Sequence, residues 1–67
     1  MKVKVRSFSN PHNYEFDFPE KEILMYSTTE ALAFARKQIA KVRGTNTFLG
    51  FKIITTKGDL MYKLPSY

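Results

Sequence analysis

The first six residues alternate strictly between apolar and basic side chains, reading Met-Lys-Val-Lys-Val-Arg. Successive side chains of a β-strand point to opposite faces of a sheet, so Val3 and Val5 share one face while Lys2, Lys4 and Arg6 share the other. On a helix the same side chains would be scattered around the circumference. The chain is therefore predicted to begin with a strand that has one buried face and one cationic face.

A second alternating segment follows a turn at residues 9–12, and it consists of Tyr14, Glu15, Phe16, Asp17 and Phe18 before Pro19 ends the run. Aromatic residues alternating with acids predict a second strand. Pairing it with the first strand places Arg6 opposite Glu15 and Lys4 opposite Asp17. This charge matching favours an exposed face finished by ion pairs over a face that binds phosphates.

A capping box at Ser27-Thr28-Thr29-Glu30 predicts the start of a helix. The helix is expected over residues 28–43, with Gly44 in the left-handed position that follows many helices. Its predicted apolar stripe consists of Ala31, Leu32, Ala35, Ile39 and Val42. The preceding residues, 20–26, fit either a short third strand or an apolar connection beneath the helix.

The last third of the chain predicts a second hairpin, formed by residues 48–56 and 59–64. A two-residue loop, Lys57-Gly58, places Lys52 opposite Lys63 and Ile54 opposite Met61 on the outer face. The inner face then carries Phe51, Ile53, Thr55, Leu60, Tyr62 and Leu64. A three-residue loop with a bulge at Gly58 is the alternative, and it would shift these assignments.

Together these elements predict one α+β domain over residues 1–67, with the order β-β-(β)-α-β-β. Its antiparallel sheet of about four strands carries one helix on one face, and its other face is open to solvent or to a partner. The 67 residues include no cysteine and no apolar run of 18 residues, so neither disulfides nor a membrane-spanning helix is expected. A cytoplasmic location is the simplest expectation.

The residues that carry catalytic chemistry are sparse. His12 is the chain's one histidine, and it falls in the first turn without acids at a suitable spacing. The three glycines are isolated from one another, so no phosphate-binding loop is present. We therefore expect a protein that is not an enzyme, with no cofactor, no metal site and no catalytic residue.

A net charge of +5 and the two hairpins lead instead to candidate partner-binding residues. In the second hairpin these are Lys52, Ile54, Lys57, Met61 and Lys63, because two lysines and two apolar groups would face one another without compensation. A second group is Phe34 with Lys37 and Lys41 on the helix. The alternative for Phe34 is a place at the edge of the apolar stripe, covering residues 20–26.

These groups predict a small interaction module that docks on a larger cytosolic protein with an acidic patch. In this hypothesis Ile54 and Met61 are the desolvated anchors, and the lysines steer the encounter. The alternative is a small basic nucleic-acid-binding protein that uses the same lysines on phosphates. The oligomeric state is left open, because an unpaired edge strand allows dimerisation.

A wider pattern over residues 14–57 resembles the small phage-encoded inhibitors of bacterial RNA polymerase. It comprises a strand that ends near a proline, a polar helix cap, a helix that opens Glu30-Ala31-Leu32-Ala33-Phe34-Ala35 and a strand that opens Gly50-Phe51-Lys52-Ile53. The resemblance implies a compact module that blocks a large machine, through basic residues on the strand after the helix. The matching positions here are Thr55 and Lys57, of which Lys57 is basic.

Overall fold

The computed structural model describes residues 1–65. Its elements are β1 (Val3–Phe8), α1 (Pro11–Phe16), β2 (Lys21–Met25), α2 (Thr28–Val42), β3 (Gly50–Thr55) and β4 (Leu60–Leu64). The strands form one antiparallel sheet in the order β2-β1-β3-β4, and α2 packs on one face. This confirms the predicted α+β fold, with two helices instead of one. Neither helix within residues 1–65 is long and apolar enough to cross a membrane.

The strand β1 lies inside the sheet, between β2 and β3. Its alternation of apolar and basic residues gives it one buried face and one charged face. Val5 pairs with Ile23 of β2 on one side and with Ile53 of β3 on the other. Together with α2, these strands enclose the core cluster, which consists of Val3, Val5, Ala31, Ala35, Phe51 and Ile53. A shift of one residue would turn the apolar set of β1 to solvent, so burial fixes the strand register.

The predicted second strand is wrong, because residues 11–16 form the helix α1. The side chain of Asn10 accepts a hydrogen bond from the His12 amide at 2.8 Å, and Pro11 occupies the first helical turn. Both residues are typical of a helix start. As a result β2 pairs with β1 in place of the predicted strand. The segment over residues 20–26, which fitted either a strand or a connection, therefore contains a strand. Arg6 consequently lies opposite Glu22 and not opposite Glu15.

The buried side chain of Tyr14 anchors α1 to the sheet. Its ring packs edge-on against Phe8 and Phe48, with centroids 5.3 and 5.7 Å away. Its hydroxyl donates to the carbonyl oxygens of Phe51 and Leu64 at 3.0 and 2.8 Å. A Cβ on Gly50 would lie 3.1 Å from the Tyr14 ring and 2.8 Å from Phe48. The bare backbone at Gly50 is therefore what lets these two rings approach the sheet.

The helix α2 begins and ends close to the predicted bounds. Its N-cap is Ser27, whose hydroxyl accepts a hydrogen bond from the Glu30 amide at 3.1 Å. It ends at Val42, one residue earlier than predicted, and Gly44 follows with a φ of 85°. Ser27 as the cap and Gly44 as the residue with a positive φ are the two local signals for this helix in the amino-acid sequence.

The second hairpin closes with a three-residue loop, Thr56–Gly58. Thr55 accepts from the Gly58 amide at 2.9 Å and donates to the Asp59 carbonyl at 2.8 Å, and Gly58 has a φ of 99°. A bulge in β4 then restores the pairing of Ile53 with Tyr62 and of Lys52 with Lys63. The loop therefore follows the three-residue alternative, while Lys52 and Lys63 pair as the two-residue loop predicts.

Candidate functional site

The sheet has one face turned away from α2, which we call the outer face, and charged side chains cross it in a row. This charged row consists of Glu22, Arg6, Lys52 and Lys63, which are successive cross-strand partners on β2, β1, β3 and β4. Asp17, directly after α1, adds a second carboxylate above the row. The outer face thus carries an organised set of charges instead of an unstructured basic patch.

Arg6 is the centre of an ion-pair network. Its Nε lies 2.6 Å from Glu22 Oε2, and its Nη1 lies 2.5 Å from Asp17 Oδ2. These hydrogen bonds, first to Glu22 and then to Asp17, raise the pKa of Arg6 above its already high value. Asp17 adopts a left-handed conformation with a φ of 59°, which brings its carboxylate over the sheet. Arg6 is therefore held permanently charged and fully engaged.

Lys52 is compensated by carboxylate and aromatic groups, so the predicted lack of compensation is wrong. Its Nζ lies 3.9 Å from Asp17 Oδ1 and 5.5 and 5.7 Å from the ring centroids of Phe8 and Tyr14. Lys63 lies over the same Tyr14 ring at 4.8 Å. Lys52 and Lys63 are direct cross-strand partners, and the electron-rich surface of the Tyr14 ring that both ammonium groups contact offsets their repulsion.

A second row crosses the outer face one step further along the strands, and it mixes apolar side chains with one lysine. This mixed row consists of Leu24, Lys4, Ile54 and Leu60. Leu24 and Leu60, at its two ends, are 55% and 59% exposed, whereas Ile54 is 4% exposed. The bulge gives Leu60 the position predicted for Met61, which packs against the helix-side core. The predicted exposed anchors, Ile54 and Met61, are therefore covered.

Exposed apolar side chains gather around the outer face. Seven large hydrophobic residues are exposed within residues 1–65; Leu24 and Leu60 lie on the outer face, and Phe16, Phe18 and Tyr26 are next to, or in contact with, residues whose side chains reach it. Phe16 and Phe18 flank Asp17 in the chain, and Tyr26 contacts Lys2 with the Nζ 5.9 Å from its ring centroid. Such a concentration of exposed apolar groups is typical of a surface that binds a partner.

The other predicted binding residues lie elsewhere. Lys57 lies at the exposed tip of the β3–β4 loop, and Lys37 and Lys41 lie on the exposed side of α2. Phe34 is half-buried and packs edge-on against Phe51 with centroids 5.9 Å apart. The structure therefore distributes the predicted binding residues over separate regions and does not bring them together as one surface.

The outer face presents charged and apolar side chains next to one another. No group of three metal-ligating side chains occurs among the described residues, and His12 is exposed on α1. The outer face carries five basic groups, on Lys2, Lys4, Arg6, Lys52 and Lys63, against the two carboxylates of Asp17 and Glu22. It therefore presents exposed apolar side chains together with a net positive charge.

Comparison of the chain with protein-family models, with curated proteins and with solved structures finds no match.

The exposed positions of Phe16, Phe18, Leu24 and Leu60 were not predicted from the amino-acid sequence. The predicted strand over residues 14–18 would place both phenylalanines on the buried face. The signal that could have found them is Asn10-Pro11, a helix cap followed by the residue that is favoured in the first helical position. For Leu60 no local signal exists, because its placement depends on the bulge in β4.

Proposed function

We propose that this protein is a non-enzymatic interaction module that docks through its outer face on a larger protein and modulates or inhibits it. The observation that carries the proposal is the pair of exposed leucines, Leu24 and Leu60, at the two ends of the mixed row, with Lys4 between them. Exposed apolar groups on either side of a cation are suited to a partner surface whose apolar pockets flank a carboxylate. The resemblance to polymerase inhibitors suggests a nucleic-acid-processing enzyme as the class of partner.

The docking residues in this proposal differ from those expected from the sequence. Leu24 and Leu60 replace Ile54 and Met61 as anchors, since they are the apolar groups of the mixed row that a partner can desolvate. Lys4 replaces Lys52 as the steering charge. The Lys4 side chain is 34% exposed and its Nζ lies 3.9 Å from Glu22, whereas the Lys52 side chain is only 15% exposed.

Photo-crosslinking tests which face binds. A benzoylphenylalanine replaces Leu24 or Leu60 in turn, and a matched control carries it at Ala33, an exposed position on α2. The proteins are irradiated in a nuclease-treated bacterial lysate, and the products are identified by mass spectrometry. We expect one common protein adduct from both outer-face positions and none from position 33.

Substitutions then test the contribution of each group. Leu24→Ser and Leu60→Ser should each reduce capture of that protein by about tenfold, as expected for apolar anchors that a partner desolvates. Lys4→Glu should also reduce it, whereas Lys37→Glu, with the same change of charge on α2, should leave it unchanged. If no protein is crosslinked while a labelled single-stranded DNA binds with a steep dependence on salt, nucleic-acid binding replaces this proposal.

A further inference from the structure

An open groove lies on the other side of the sheet, where the last turns of α2 meet the chain around Phe48 and the end of β4. Its volume is about 510 Å³, within the range of sites that bind ligands. We call it the helix-end groove. The residues used below are Arg36, Ile39, Arg43, Phe48 and Leu64. None of them belongs to the outer face, so this inference does not depend on the proposed function.

Two guanidinium groups border the helix-end groove without carboxylate partners. Arg36 lies on α2 and Arg43 is the residue that caps the end of this helix, so their separation of seven residues corresponds to about 10.5 Å along the helix and nearly the same side of it. All ion pairs among residues 1–65 lie on the outer face, and none involves either arginine. Two unpaired cations on one side of a groove predict a ligand with at least two negative groups.

The floor of the helix-end groove is apolar. Ile39 and Leu64 contribute aliphatic surface, and both also pack against the helix-side core. Phe48 contributes a ring whose neighbour is the Tyr14 ring at 5.7 Å. Because Phe48 is already packed against another ring, the floor is better suited to an aliphatic side chain than to a stacked nucleobase.

The end of a helix carries partial negative charge, which would oppose an anion near Arg43. Here two of the last four carbonyl groups are already bonded. The Arg43 amide donates to Ala40 O at 3.3 Å, and the amide and hydroxyl of Thr45 donate to Val42 O at 3.1 and 2.6 Å. Two full positive charges therefore outweigh a helix end that is equivalent to about half a negative charge.

We propose that the helix-end groove binds an extended peptide segment in which one aliphatic side chain stands between two carboxylates. Alternate side chains of an extended chain point in opposite directions, so the aliphatic group enters the floor while both carboxylates face the rim. Carboxylates two residues apart are separated by about 6.8 Å along such a chain. The two arginine positions are about 10.5 Å apart along the helix, and their long side chains are flexible enough to reach two carboxylates at this shorter spacing. Guanidinium groups bind carboxylates through paired hydrogen bonds.

The test uses a fluorescein-labelled peptide, Gly-Ser-Asp-Leu-Asp-Ser-Gly, titrated with the full chain and followed by fluorescence anisotropy. One control peptide replaces Leu by Gly and keeps the charge, and another replaces both Asp by Asn and keeps the aliphatic group. We expect saturable binding of the first peptide and at least about tenfold weaker binding of each control, since both kinds of contact are required.

Matched variants of α2 test the location. Arg36→Gln and Arg43→Gln should each weaken the peptide by about tenfold, the loss expected for one charge-assisted contact. Lys37→Gln and Lys41→Gln remove the same charge from the same helix but do not line the groove, and they should change the affinity by less than about twofold. Circular dichroism confirms that each variant is folded.

Three results would overturn the inference. The first is no saturable binding of the peptide at millimolar concentration of protein. The second is equal loss of affinity in the lysine and arginine variants, which would indicate attraction by net charge alone. The third is binding of oligo-dT that depends on Arg36 and Arg43 while the peptide does not bind, which would assign the groove to nucleic acid. None of these results bears on crosslinking at Leu24 or Leu60.

Discussion

The two faces of the sheet are made by alternate residues of the same strands, but their side chains are buried to different extents. On the helix face, Val3, Val5 and Ile53 are at most 1% exposed beneath α2. On the outer face, α1 covers one end through Tyr14, while Leu24 and Leu60 remain more than half exposed. The core of the helix face is thus fully buried, whereas the outer face combines buried groups, Phe8, Tyr14 and Ile54, with exposed apolar surface that no residue of the described chain covers.

The difference shows how stability and binding are divided between the two faces. Apolar burial on the helix face provides most of the driving force for folding, since each buried side chain contributes roughly 1.5–3 kcal/mol. The outer face is held by the packing of Tyr14 against Phe8 and Phe48 and by ion pairs around Arg6, which are weaker where solvent reaches them. A partner can therefore cover the mixed row without any rearrangement of the core.

The largest expected effect comes from removing a core side chain. Ile53→Ala should lower the free energy of unfolding by about 3 kcal/mol, because it leaves a cavity beneath α2. For 67 residues the whole stability is roughly 3–10 kcal/mol, so this variant is expected to be close to unfolding. Leu24→Ala is the matched change on the outer face and should cost less than about 0.5 kcal/mol.

Urea denaturation followed by circular dichroism measures both variants of this pair. If Leu24→Ala lowered the free energy of unfolding as much as Ile53→Ala, Leu24 would be part of the core. It would then not be available to bind a partner.

A smaller effect is expected where α1 closes one end of the outer face. Tyr14→Phe keeps the packed ring but removes the hydroxyl that donates to Phe51 and Leu64. Loss of a buried donor should cost about 1–2 kcal/mol, since two carbonyl groups lose their partner. Tyr26→Phe is the control, because Tyr26 is 75% exposed. Equal urea midpoints for the two variants would show that Tyr14 does not anchor α1 through these bonds.

The helix face was predictable because its signals are local and agree with one another. The alternation in β1 assigns Val3 and Val5 to one face, and the Ser27 cap followed by an apolar stripe positions α2 over it. Two levels of evidence, the strand period and the helix period, point to the same core. The predicted α+β architecture is correct for that reason.

The outer face was less predictable because its arrangement depends on distant parts of the chain. Residues 14–18 have the period of a strand, yet the helix start at Asn10-Pro11 prevails and Tyr14 finds carbonyl partners 37 and 50 residues away. The bulge that exchanges Leu60 with Met61 likewise has no local signal. Because of the helix α1 and the bulge, the exposed apolar groups are Leu24 and Leu60 and not Ile54 and Met61. The basic side chains of β1 still form ion pairs, as predicted, but with Asp17 and Glu22 as partners.

The smallest expected effect concerns the ion pairs that hold the charged row. Asp17→Asn keeps a residue type that tolerates the positive φ of this position but removes the charge that faces Arg6 and Lys52. We expect a loss of about 0.5 kcal/mol at low salt, since Asp17 is nearly half exposed. Asp59→Asn removes the same charge from a carboxylate that forms no ion pair among residues 1–65, so the difference between the two variants isolates the contribution of the network. That difference should shrink in 1 M NaCl, because salt screens exposed charges. A difference that persists at high salt would mean that Asp17 acts through backbone geometry, and the outer face would then be held by the shape of α1 more than by its charges.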